Sequence, residues 1–99
     1  MSLGILTTEN LQNAINLAAT RQISHEELVK WCSICIQKAY KEDTYEELST
    51  IHTLAEEIDA QWDLFLSNTF TLAELQTLNK AEIEMPAEWL EEWTRKLED

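Results

Sequence analysis

Between Thr44 and Phe65 the apolar residues Leu48, Ile51, Ala55, Ile58, Trp62 and Phe65 recur at alternating intervals of three and four. That spacing draws one apolar stripe along an α-helix, and at 1.5 Å per residue the helix would be about 33 Å long, the full height of a small domain. The pattern predicts a central post with the other elements packed around it.

Local start signals predict those elements in turn. Leu3, Ile5 and Leu6 form an apolar lead-in to a first helix, capped by Thr7 and stapled by Leu6 to Leu11. It runs to about Thr20 with Leu11, Ala14, Ile15 and Ala18 inward. Arg21 and Gln22 make the turn. Ser24 and Glu27 have capping-box spacing, with Ile23 and Leu28 as the matching staple, so a second helix starts there and ends near Tyr40. Its face Leu28, Cys32, Cys35 and Ala39 is widened by Val29, Trp31, Ile36 and Tyr40, as burial on two sides requires. Lys38 and Lys41 suit its negative C-terminal end.

Thr44 and Glu47 form the box that starts the central helix, which should fray by Ser67 or Asn68. Thr71 and Glu74, stapled by Phe70 and Leu75, open a shorter helix with Leu72, Leu75 and Leu78 inward and Asn79 as its stop. Pro86 suits the first position of a last helix, whose apolar face is Trp89, Leu90, Trp93 and Leu97.

Composition narrows the fold. Ninety-nine residues, 44% hydrophobic, with one glycine and one proline, fit a single domain over residues 1–99 and leave no room for the glycine turns of a sheet. The prediction is an all-α protein: a single compact bundle of four to five helices.

Charge changes the picture more. The formal net charge is −12, and from residue 42 to residue 79 there are nine acids and no lysine or arginine. Such a surface opposes nucleic acid and anionic membrane, and favours salt-sensitive capture of a basic partner. No stretch has the length of a transmembrane helix and no basic, apolar leader opens the chain, so a cytoplasmic protein is expected.

Candidate chemistry is sparse. Cys32 and Cys35 match C-x-x-C but fall mid-helix, whereas a redox pair sits at a helix N-terminus where its thiolate is stabilised; two small core residues are the better reading. His25 and His52 complete no usual zinc spacing. Nor is there a phosphate loop, or a nucleophile with a placeable base, so neither enzyme nor cofactor is expected. On the central helix His52, Glu56, Asp59 and Asp63 recur at four, three and four, which puts three carboxylates on one stripe flanking the core. Like charges at that spacing destabilise a helix by about 0.2–0.5 kcal/mol per pair, so an unbalanced stripe points to a partner's cations. Solvated surface and a carboxylate metal site are the competing readings. Trp89 and Trp93 either lock the last helix to the bundle or anchor a partner; the former is favoured.

The run Ala14-Ile15-Asn16-Leu17-Ala18-Ala19-Thr20-Arg21-Gln22-Ile23-Ser24-His25-Glu26-Glu27-Leu28 resembles the first helix, turn and second-helix start of colicin D-type immunity proteins. The shared pattern is an apolar helix, then Ile-Ser or Ile-Thr, then Glu before a large apolar residue. A following helix carrying Glu56, Glu57 and Ile58 is similar in character. The resemblance covers about half the chain. It implies a cytoplasmic helical bundle that binds a nuclease toxin and masks its basic cleft, with Glu42, Asp43, Glu46, Glu47, Glu56, Asp59 and Asp63 as the candidate contacts. The alternative expectation is a helical adaptor or chaperone-like module, possibly homodimeric, using the apolar and aromatic face of its last helix.

Overall fold

Three of the helices start where a side chain closes the first turn. The computed structural model describes Gly4, residues 6–42 and residues 49–98, with side chains over 6–38 and 51–98. The helices are α1 (Thr8–Ala19), α2 (His25–Glu42), α3 (Ser49–Thr69), α4 (Leu72–Thr77) and α5 (Ala87–Glu98), with a 3₁₀ turn at Lys80–Glu82. No strand occurs among the described residues, and the protein is an all-α bundle of five helices.

Thr7 accepts a hydrogen bond from the Asn10 N–H at 3.0 Å, and Ser24 from the Glu27 N–H at 3.0 Å. At α4 the capping box is complete in both directions, Thr71 Oγ1 accepting from Glu74 and the Glu74 carboxylate accepting from the Thr71 N–H at 2.9 Å. The Thr44–Glu47 box, Leu48 and the lead-in residues Leu3 and Ile5 lie outside the described residues.

One core joins the elements. Leu11, Ala14, Ile15 and Ala18 of α1, Leu28, Val29, Cys32 and Cys35 of α2, and Ala55, Ile58 and Trp62 of α3 are buried together. So are Leu90 and Trp93 of α5, which settles those side chains as core. α2 packs most extensively along α3, and α5 lies along α1. Trp89 meets Phe65 edge to face, with centroids 5.7 Å apart, and Phe65 meets Phe70 in the same way at 6.5 Å.

Four expectations need correction. His52, placed by spacing beside the core, is wholly buried within it. Leu54 and Leu66, outside the predicted stripe, are buried as well, because α3 packs over an arc wider than a single row of residues. Leu72 and Leu78 do not turn inward: α4 is six residues long with no buried residue, and only Leu75 packs partly on the core. Such a short helix rests on the bundle through a single side chain. Finally, α5 starts at Ala87, one residue later than expected, and Pro86 precedes it with its carbonyl accepting from the Trp89 N–H at 3.0 Å.

Between α4 and α5 the chain is held by a buried clasp. The Met85 N–H donates to His25 Nδ1 at 2.7 Å, and His25 also hydrogen-bonds the backbone of Ala18. Ile83 and Met85 are buried beside it. Arg21, in the left-handed region at φ 64°, adds a 3.0 Å ion pair to Glu84 across the same junction. In the first half of α2, Trp31 Nε1–H donates to the Gly4 carbonyl at 2.9 Å.

Burial outweighs the attraction of nearby Glu84 and holds the His25 pKa below its ordinary 6.5, in keeping with an Nδ1 that must stay unprotonated to accept from Met85. The stability this supplies is complete above that value and declines as pH falls from there towards the folded-state pKa, since the unfolded chain takes the proton first. Urea unfolding at pH 7.5 and pH 5.5 should therefore show a larger acid loss for the wild type than for His25→Asn, whose Oδ1 takes the place of Nδ1 as acceptor for Met85 but which carries no titrating ring. Equal losses would remove His25 from the pH dependence.

Candidate functional site

The acidic stripe of α3 owes its position to the core stripe beside it. With Ala55, Ile58 and Trp62 inward, the 3.6-residue period puts Glu56, Asp59 and Asp63 along the margin of the buried face. Glu56 and Asp59 are half-buried and Asp63 is exposed.

The carboxylates of α3 differ in their surroundings. Glu57 lies off the stripe and receives Lys96 of α5, whose Nζ donates to both carboxylate oxygens at 3.0 and 2.9 Å. Glu56 Oε1 lies 2.7 Å from His52 Nδ1, so its carboxylate leans back onto the core histidine. Asp59 and Asp63 have no lysine or arginine within ion-pair distance among the described residues. Partial burial, reinforced by the neighbouring charge of Asp63, lifts the Asp59 pKa above the ordinary aspartate value. The fold thus holds two like charges together, one of them partly desolvated.

Of the other proposed contacts, Asp43, Glu46 and Glu47 lie outside the described residues, and Glu42 is described only as the last residue of α2. The structure brings Glu56, Asp59 and Asp63 onto one side of α3. Spacing alone did not reveal that Glu57 is neutralised from α5, because the two residues are thirty-nine apart in sequence.

The cysteines and histidines occupy structural positions. Cys32 and Cys35 are buried free thiols, and burial pushes the pKa of both upward, with Cys35 and then Asp59 adding to the effect at Cys32. A thiol so placed is a poor nucleophile and a poor metal ligand. Among the described residues no group of three or more His, Cys, Asp or Glu could hold a metal ion. His25 is committed to the Met85 clasp.

Concave surface lies elsewhere. A groove of about 580 Å³ runs between α1 and α5, lined by Arg21, His25, Glu84, Leu90 and Arg95 among others, and one of about 460 Å³ lies along Asn10, Asn13 and Asn16 of α1. Neither is lined by α3. No helix among the described residues is long and apolar enough to cross a membrane.

No protein-family model matches the chain, and neither the curated proteins nor the solved structures yield a match.

Two outcomes follow from the site's electrostatics. Replacing Asp59 by Asn removes one like-charge contact and a partly desolvated carboxylate, so Asp59→Asn should stabilise the protein at pH 7 by about 0.2–0.5 kcal/mol, read as a raised urea midpoint at unchanged m. Destabilisation would mean that the charge has a partner in the fold. A thiol reagent added to the native protein should modify neither cysteine until denaturant is present; prompt reaction of both would contradict their burial.

Proposed function

We propose that this chain is an acidic inhibitor of the immunity type, which binds a basic protein partner and occupies its cationic cleft with the acidic side of α3. The observation that carries this reading is the Asp59–Asp63 pair, without a cation among the described residues and with the Asp59 carboxyl lifted towards its neutral form, beside a Glu57 that the fold does neutralise. A surface needed only for solubility gains nothing from half-burying a carboxylate next to another. A partner's lysine or arginine supplies the missing charge.

The resemblance to colicin D-type immunity proteins names the class of partner as a nuclease toxin. Such an enzyme lines its groove with lysine and arginine to hold phosphates, and a rigid acidic helix fits that groove as a mimic of the nucleic-acid backbone. On this reading Glu42, Asp43, Glu46 and Glu47, which precede α3 in sequence, extend the same acidic contact, and Glu56 joins it once its carboxylate turns outward. The protein acts in the cytoplasm, by binding and not by chemistry of its own. Of the last-helix face that the adaptor alternative would use, Leu90 and Trp93 are core residues, while Trp89 and Leu97 are partly buried.

The test is affinity capture from the native host on immobilised wild type and on the Asp59→Lys, Asp63→Lys double variant, at low and then moderate salt, with mass spectrometry of the eluates. A basic nuclease domain should be held by the wild type, released as salt rises, and absent from the variant. Identical protein sets on both surfaces would contradict the proposal.

A further inference from the structure

Residues 79–86 join a helix that buries nothing to one that the core holds. α4 has no buried residue, whereas Leu90 and Trp93 fix α5. Hydrogen bonds within the segment are local: Ala81 N–H donates to Asn79 Oδ1 at 3.1 Å, and Ile83 N–H to the Lys80 carbonyl at 3.2 Å. Two apolar side chains, Ile83 and Met85, are buried, and an exposed ion pair from Glu84 reaches Arg21 in the turn between α1 and α2. Among the described residues, the bond from Met85 N–H to His25 is the one that ties the backbone of the segment to α2. That bond needs the lone pair of Nδ1, so the neutral ring carries its proton on Nε2. A second proton, placed on Nδ1, would set N–H against N–H across 2.7 Å.

Water can reach the ring. Although only 6% exposed, His25 lines two grooves, the one between α1 and α5 and another of about 310 Å³ beside Gln22 and Ser24. The charged groups that face it across them are Arg21, Glu84 and, from its own helix, Glu27, with Glu91, Arg95 and Glu98 from α5; α1 and the 3₁₀ turn add none. Glu84 favours the charged ring, Arg21 opposes it, and burial outweighs Glu84. We propose that residues 79–86 are an acid-released strap: a proton arriving at His25 Nδ1 breaks the bond to Met85, and the segment lifts from α2 while α2 and α3 stay packed. Glu84 and Met85 form part of the wall of the α1–α5 groove, so release widens that groove and bares Ile83 and Met85. No α3 residue lines either groove, so the inference stands apart from the inhibitor reading.

Amide hydrogen exchange followed by NMR, at pH 7.5, 6.5 and 5.5 and at several urea concentrations below the unfolding transition, tests the strap. Protection factors remove the pH dependence of the exchange chemistry itself. Met85 and Ile83 should open at lower free energy than Ile58 of the α3 core and with little urea dependence, as a local unit does, while Ile58 shows the full dependence of global unfolding. Their protection should be level above about pH 6.5 and fall below it by up to about tenfold per pH unit, since one proton is taken up on opening. In His25→Asn the Met85 protection should not change with pH. The proposal would be overturned if Met85 and Ile83 exchanged with the free energy and urea dependence of Ile58, which wild type alone decides. Protection of Met85 that is level with pH in the wild type, or that falls equally in His25→Asn, would overturn it as well. So would a loss confined to Met85 with Ile83 unchanged, because the ring would then turn and leave the segment in place.

Discussion

Burial of α2 against α3 is the constraint on which the other arrangements depend. Leu28 and Cys32 from one helix and Ala55 and Ile58 from the other are removed from water completely, and Trp62 nearly so. Each large apolar side chain buried in this way is worth about 1.5–3 kcal/mol. Once that seam fixes which way α3 faces, the helical period assigns every remaining residue on it: the histidine at position 52 to the core, Glu57 to within reach of Lys96, and Asp59 and Asp63 to the margin. The acidic stripe is a by-product of the packing in its position, but not in its composition. Asn or Gln would occupy the same margin without the like-charge cost.

Two surfaces of opposite character then meet on one helix. The middle of α3 holds carboxylates that meet no cation among the described residues, while its end and the short α4 hold leucine and hydroxyl or amide side chains with almost no charge. The interior gives α4 little to hold. Its capping box satisfies its first turn and Leu75 reaches the core, but no residue in it is buried. The clasp between His25 and Met85 takes up the chain beyond it and leads into α5.

Periodicity and capping made most of the scaffold legible. Thr7, Ser24 and Thr71 mark helix starts that the structure reproduces, and Leu11, Ala14, Ile15, Ala18, Leu90 and Trp93 are buried as their spacing requires. What sequence did not reveal depends on tertiary contacts. Leu72 and Leu78 have the spacing of an inward face, yet whether a six-residue helix finds a surface to bury it against is decided by its neighbours. His52 belongs to the acidic stripe by spacing and to the core by packing, a distinction set by the breadth of the α3 contact. For the candidate site, the alignment of Glu56, Asp59 and Asp63 could be read directly. The neutralisation of Glu57 by Lys96 could not, since no local rule joins residues from separate helices.

The account stands on Asp59 and Asp63 being an unbalanced pair, and a carbon-detected NMR titration of their side-chain carboxyl groups tests that most directly. The Asp59 midpoint should lie above the ordinary aspartate value, held there by partial burial and by Asp63, and should fall when Asp63 is replaced by Asn. A midpoint at or below the ordinary value would contradict the account, because a cation already in place would then leave no missing charge for a partner to supply.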